Sequence, residues 1–341
     1  MLKPIILFII GLACLIKGGD WFVDGASSLA RKFRLPELLI GATVVSIGTT
    51  LPEVMVSTMS ALSGHGEIAY GNAIGSVICN TALIAAITIA VKPGPVDPQK
   101  LRIPVTFFYV AAAIYCIAAY LMGRFTRFMG LIMLAVFVAY MIVNVRSMMS
   151  GSQGGTEPDG AGGSGDGNGD GSAGAGKAEG AETEMPIGKI LLFLVAGAAL
   201  IAVGAHLLVD NGTLIAQAMG VPESVIALTF VALGTSLPEL VTAITSLAKG
   251  HGALSLGNVI GANVFNLVLV SGVSVTLAPF SVPQSAVFMG RNASLILEIP
   301  VMLLVMSILT IPTLIRGKLT RAQGILLLAI YAVFCFIQFT M

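Results

Sequence analysis

The sequence predicts an all-α integral membrane protein with ten transmembrane helices in two inverted five-helix repeats. Three observations carry that prediction. The 341 residues are 56% hydrophobic and 10% charged, with a mean hydropathy of +0.95, whereas soluble domains carry about 25% charged residues. Apolar runs long enough to cross a bilayer, about 20 residues each, recur along the chain. One half of the sequence also matches the other at a fixed offset. The net charge of +1 offers no basic footprint for nucleic acid. Cys14, Cys79, Cys116 and Cys335 sit in apolar runs with no CxxC pair and read as buried membrane thiols. No small-residue cleavage site closes the first apolar run, so it reads as the first transmembrane helix and not as a removed signal.

Taken in order, spanning helices are expected near 4–30, 36–62, 68–91, 103–122 and 127–146, then 187–216, 222–248, 253–278, 293–314 and 322–340. Polar or helix-breaking stretches separate them, among them "RKFRLPE", "SGHGE", "KPGPVDPQKLR", "GRFTR" and "LIRGKLTR". This divides the chain into a first repeat at 1–147, a linker at 148–184 and a second repeat at 185–341. The linker is rich in Gly and Ser and holds seven acids and one Lys. Such a segment buries too little apolar surface to offset its ordering entropy and is expected to be disordered. Its acids could gather divalent cations, but a solvated linker is the plainer reading.

The repeat is detailed. With an offset of 186, residues 24–80 fall on 210–266 without a gap and with 21 identities in 57 positions. "GTTLPEV" meets "GTSLPEL", "GNAIGSVICN" meets "GNVIGANVFN", and "GHG" at 64–66 meets "GHG" at 250–252. Matched Pro, Glu and Asn at one offset are more than two apolar stretches share by composition, and related halves are a mark of transporters. Five helices per half is odd, so the second copy enters from the opposite side. With the linker in the cytoplasm and both termini outside, the cytoplasmic loops hold thirteen Lys and Arg against four, with Lys17 inside the first helix. That agrees with the positive-inside rule and places the protein in a cell or inner membrane.

The two "GT[ST]LPE" segments fall near the middle of the second and seventh helices. Pro52 has no N–H for the Gly48 carbonyl, and Pro238 none for Gly234, so each helix is expected to break there. Carbonyls freed in hydrocarbon need a partner, and a cation is one. Ser46, Thr50, Glu53 and Ser57 are spaced to share a helix face, as are Asn72, Ser76 and Asn80. The second-half counterparts are Ala232, Ser236, Glu239 and Ala243, then Asn258, Ala262 and Asn266. All are oxygen donors or small residues, a set for hard cations such as Ca²⁺ or Na⁺, whereas soft metals favour Cys or His. Two ionised carboxylates in the bilayer cost at least about 3 kcal/mol each. One Ca²⁺, two Na⁺ or two protons neutralise the pair, which is the physical basis for exchange. Protonated, hydrogen-bonded structural carboxylates are the alternative. An intramembrane hydrolase using Glu53 and Glu239 as acid and base lacks a metal triad, an HExxH or a Ser/His pair.

These motifs resemble the paired alpha repeats of the sodium/calcium exchanger branch of the cation/calcium exchanger superfamily, over both five-helix halves. The resemblance implies ten helices in two inverted halves, no enzymatic activity and no resident cofactor, with Ca²⁺ and Na⁺ as transported ions. It implies Glu53 and Glu239 as central ligands, backbone oxygens of Thr49 and Thr235, hydroxyls of Thr50 and Ser236, and Ser76 and Asn80. It also implies a sliding of the first and sixth helices across the other eight. Two positions depart from the family pattern. Asn266 stands where many members have Asp, and Ala262 where a Ser would help to bind Na⁺, so H⁺/Ca²⁺ exchange remains the second reading. Ser46 and Asn266 complete the candidate ion-binding set.

Other polar residues read differently. Asn72 and Asn258 suit ligand or interhelical roles equally. Lys17, Asp20 and Asp24, at i, i+3 and i+7, are spaced for local pairing. Asp24 and Asp210 match across the repeat, and His206 replaces Asp20; helix-end structure is expected of them. Glu298 has no acidic counterpart in the first half, and its role is open.

Overall fold

A computed structural model describes residues 2–151, 185–218, 232–284 and 287–340. Each expected span holds a helix: α1 (Leu2–Lys32), α2 (Glu37–Leu62), α3 (Gly66–Val91), α4 (Pro98–Met122), α5 (Arg127–Gly151), α6 (Ile187–Ala218), α7 (Ala232–Thr235 and Leu237–Ala248), α8 (Gly252–Leu277), α9 (Ser294–Arg316) and α10 (Arg321–Thr340). Among the described residues nine helices are long and apolar enough to cross a membrane, and Leu237–Ala248 is a shorter apolar helix. The expected linker beyond Gly151, up to residue 184, and the expected start of the seventh helix at 222–231 lie outside the described residues. α5 runs to Gly151, past its expected end at 146.

Local chemistry sets the helix ends. The Asp97 carboxylate accepts from the Gln99 N–H at 2.9 Å, with Pro98 in the first turn of α4, a cap and a preset φ together. Left-handed glycines follow α4 and α9 at Gly123 and Gly317. The two "GHG" turns adopt the same backbone, with φ of +83° at Gly64 and +86° at Gly250.

Loops gather at two ends. At the end where α5 finishes and α6 begins, here called the linker end, Pro95 bridges Lys318, and His251 Nδ1 lies 2.7 Å from Glu37 Oε1. At the far end, β1 (Arg124–Phe125) pairs antiparallel with β2 (Phe280–Ser281), and Phe280 packs on Gly66. The two copies of the turn therefore sit at opposite ends, as inverted repeats require. A hairpin of β3 (Val287–Phe288) and β4 (Arg291–Asn292), also at the far end, precedes α9. Ile9, Val138, Leu192, Ile315 and Phe336 are exposed on the outside of the bundle, the surface a bilayer would cover.

Two hydrophobic clusters form. The larger runs through α3, α4, α5, α8, α9 and α10. The smaller joins α1 and α6 to Ile40, Val45 and Leu254. α1 and α6 pack backbone to backbone: a Cβ on Gly18 would meet the Ile201 nitrogen at 2.8 Å, and one on Gly197 would meet the Phe22 nitrogen at 2.6 Å. Such small-residue contact is how membrane helices associate tightly.

The predicted pairing of Lys17 with Asp20 and Asp24 does not form. Lys17 Nζ lies 5.7 Å from the Trp21 ring, while both acids face Lys249 of the α7–α8 turn. His206 pairs with Asp210 at 3.2 Å, and Glu298 accepts from Gln338 at 3.3 Å.

Candidate cation site at the centre of the bundle

The middles of α2, α3, α7 and α8 converge. Thr50 Oγ1 of α2 donates to Glu239 Oε1 of α7 at 3.4 Å. Glu53 lies one turn beyond Thr50 on the same helix, which brings the two carboxylates to one locus, each fully buried. Ser236 Oγ lies 3.4 Å from Ser76 Oγ of α3. Asn80 and Asn266 are fully buried at matched positions, each opening a π-helical segment, Asn80–Ala85 and Asn266–Val270. Such π turns disturb the regular bond ladder and cluster at functional positions.

The halves are cross-stitched. Thr49 Oγ1 donates to Asn258 Oδ1 at 3.3 Å, and its repeat counterpart Thr235 Oγ1 donates to Asn72 Oδ1 at 3.2 Å. Asn72 Nδ2 in turn donates to Ser57 Oγ at 2.8 Å and to the Glu53 carbonyl at 3.3 Å. Asn72 and Asn258 therefore act as interhelical struts, the second of the two roles their positions suited. Ser46 belongs to the same stitching. Its hydroxyl lies 2.8 Å from the Gly41 carbonyl, which opens the π segment Gly41–Val45, and 3.0 Å from the Asn258 carbonyl. Its proton is committed to backbone, so only its lone pairs remain for an ion.

The expected breaks differ between copies. α7 is interrupted at Ser236, and Pro238 stands in the first turn of Leu237–Ala248. α2 continues helically through Pro52. Proline removes one hydrogen bond but leaves its neighbours, and the Phe22 ring packs against Gly48, where a Cβ would meet Cζ at 2.7 Å. A small cavity of about 10 Å³ lies beside this point, lined by Phe22, Gly48, Thr49, Pro52, Ile201 and Pro238.

Buried polar groups are nearly always hydrogen-bonded. Here both oxygens of Glu53, Oε2 of Glu239 and the side-chain amides of Asn80 and Asn266 have no partner. Among the described residues, no three His, Cys, Asp or Glu form a cluster. The donor set is two carboxylates with hydroxyl, amide and carbonyl oxygens, which fits a hard cation.

The family model for sodium/calcium exchanger protein matches residues 3–146 and 189–340. The chain belongs to the sodium/calcium exchanger family. Its relatives within that family include the sodium/calcium exchanger MaX1 of Methanosarcina acetivorans, 28% identical with 98% of each chain covered. The inner membrane protein YrbG of Escherichia coli is 33% identical, with 88% of this chain and 87% of the relative covered. A structure of the sodium-calcium exchanger NCX_Mj soaked with Na⁺ and Sr²⁺ superposes with a TM-score of 0.76 at 29% identity, over 97% of both chains. Membership makes this a multi-pass membrane transporter of the exchanger type and agrees with the helical architecture described above.

The sequence left Asn72 and Asn258 open between ligand and interhelical roles, and the cross-half hydrogen bonds assign them the second. Sequence reasoning missed the π turns, whose positions no residue pattern marks.

Proposed function

We propose that the protein is a secondary antiporter that exchanges Ca²⁺ for Na⁺ by alternating access. Glu53 and Glu239 are the central ligands, and Thr49, Thr50, Thr235, Ser236, Ser76, Asn80 and Asn266 supply further oxygens. One observation carries this reading: a buried carboxylate from each repeat meets at one locus, and three of the four carboxylate oxygens lack a partner. One Ca²⁺ or two Na⁺ neutralise the pair, so the loaded site crosses the bilayer far more readily than the empty one. The linker faces the cytoplasm of a cell or inner membrane, as the Lys and Arg bias requires, and Ca²⁺ leaves the cell. If three Na⁺ exchange for one Ca²⁺, one net charge moves per cycle, and potential drives it at about 2.3 kcal/mol per 100 mV.

The test is counterflow. Purified protein in sodium-loaded vesicles should take up radioactive Ca²⁺ only while an outward Na⁺ gradient exists. Uptake that needs no counter-ion would reject antiport. H⁺/Ca²⁺ exchange is the second reading, favoured by Asn266 and Ala262. Uptake driven by a pH gradient in sodium-free medium would establish it in place of Na⁺ coupling.

Ala262 carries a further expected result. Ser236 faces Ser76, but in the mirrored contact Thr50 has Ala262, which is fully buried and has no hydroxyl. Ala262→Ser restores the missing oxygen and should lower the Na⁺ concentration for half-maximal exchange about threefold, the scale of one added ligand or hydrogen bond. An unchanged Na⁺ titration would remove Ala262 from the site.

A further inference from the structure

We propose that Lys249 is a one-sided latch. It holds the α1–α6 pair closed at the linker end and biases the two access states unequally. The inference rests on the alternating-access reading above, but its structural basis is separate from the ion site.

Lys249 Nζ lies 2.9 Å from Asp24 Oδ1, 3.0 Å from the Asp20 carbonyl oxygen and 3.3 Å from Asp20 Oδ1. Three ammonium protons meet three acceptors, all on α1. Lys249 itself belongs to the turn between α7 and α8, whose neighbour His251 is pinned to Glu37 at the start of α2. The contact therefore joins the α1–α6 pair to helices outside it. Just inside the membrane from the latch, α1 lies hard against α7: a Cβ on Gly19 would meet Val241 Cγ1 at 2.7 Å and Thr245 Oγ1 at 2.9 Å. The linker end is shut.

The repeat supplies the comparison. With the offset of 186, Asp20, Asp24 and Lys249 correspond to His206, Asp210 and Ser63. Val241 and Thr245 correspond to Met55 and Met59. Among the described residues, Met55 and Met59 at the far end are 65% and 61% exposed, whereas α1 packs on their counterparts. Among the described residues, His206 and Asp210 pair with each other, with side chains 77% and 56% exposed. Among the described residues, α1 closes on α7 at the linker end, and the counterpart positions on α2 at the far end are exposed.

Inverted repeats exchange roles when access switches. In the opposite state α6 would close on α2 at the far end and bring His206 and Asp210 toward Ser63. A serine cannot make the ion pairs that lysine makes. The state seen here has a latch, and its mirror image has none. Partly exposed ion pairs are individually weak, but a population ratio responds to small energies, and the ratio of apparent affinities at the two faces follows that population directly.

Lys249→Met should shift the ratio of apparent Ca²⁺ affinities at the two faces about threefold in favour of the linker-side face. Lys249→Arg should retain the wild-type ratio. Ser63→Lys, which gives the far end its own lysine, should shift the ratio in the same direction as Lys249→Met. The measurement is half-maximal Ca²⁺ for exchange in vesicles of each orientation. A conformational readout independent of transport is the reaction of Met55→Cys with a membrane-impermeant maleimide added from the far side, with the chain carrying Met55 as the blank. Labelling should slow in both the Lys249→Met and the Ser63→Lys backgrounds. An unchanged affinity ratio with unchanged labelling, or equal weakening at both faces, overturns the latch. Absence of exchange in the wild type with labelling that responds as stated would sink the antiport reading and leave the latch standing.

Discussion

Glu53→Gln and Glu239→Gln are each expected to reduce Ca²⁺ exchange to background. Glutamine keeps the shape and one oxygen of the side chain but removes the charge that balances the ion. Both carboxylates are fully buried, and Glu239 meets Thr50 from the opposite half, so water cannot replace the lost charge. Breaking a buried charge pair by removing one member costs about 3–5 kcal/mol, which is about 10²- to 10³-fold or more in ion affinity. The fold should respond in the opposite sense. Without ion, two neighbouring buried carboxylates repel, and neutralising one relieves that repulsion. Each variant should therefore melt no lower than the wild type in ion-free detergent, while losing the rise in melting temperature that Ca²⁺ gives the wild type by binding only the folded state. Uptake into sodium-loaded vesicles and melting with and without Ca²⁺ are the measurements. Wild-type exchange in either variant would take both carboxylates out of the ion's path.

The fold was legible in the sequence because the bilayer leaves a chain few choices. Each of the ten apolar runs holds a helix among the described residues, and the matched turns at 64–66 and 250–252 placed two copies in opposite orientations. The candidate site was legible because the repeat marks it twice: Glu53 with Glu239, Asn80 with Asn266, Thr49 with Thr235. What escaped is geometry that no residue pattern encodes. The break foreseen at Gly48–Pro52 is absent because a single proline removes one hydrogen bond and leaves the neighbouring ones, while Phe22 packs against Gly48 from outside the helix. Irregularity in α2 moved upstream to Gly41–Val45, where the Ser46 hydroxyl serves a carbonyl. Lys17 and its two acids looked like a local set on α1, and only the folded chain shows Lys249 arriving from 225 residues away to bind Asp24. Long-range contacts of that kind are invisible to spacing.

Gly257→Ala is expected to destabilise the protein strongly, against the usual sign of the change. A glycine inside a helix costs about 0.5–1 kcal/mol relative to alanine, so the substitution ordinarily stabilises. Here α2 and α8 cross with their backbones in contact. A Cβ on Gly257 would lie 2.1 Å from the Leu38 carbonyl oxygen and 2.9 Å from its carbon, and across the same crossing one on Gly41 would lie 2.3 Å from the Leu254 oxygen. These obstacles are backbone atoms, which cannot swing aside as a side-chain tip can. Relief requires the helices to separate, and overpacking of this kind costs about 1–3 kcal/mol, occasionally more; obstacles made wholly of the Leu38 backbone put this site at the upper end. The same separation pulls Asn258, the next residue, away from Ser46 and Thr49. The halves would then lose a strut beside the ion site, and displacements of about 1 Å near a reacting or binding centre are costly. Gly257→Ala should therefore lower both the melting temperature and the rate of exchange in whatever folded protein is recovered. Gly188→Ala, in the first turn of α6 with nothing within 4 Å of the added carbon, should melt at or slightly above the wild type. If Gly257→Ala melted with Gly188→Ala, the helices would not be in backbone contact at this crossing, and the placement of Asn258 against Thr49 would have to be abandoned with it.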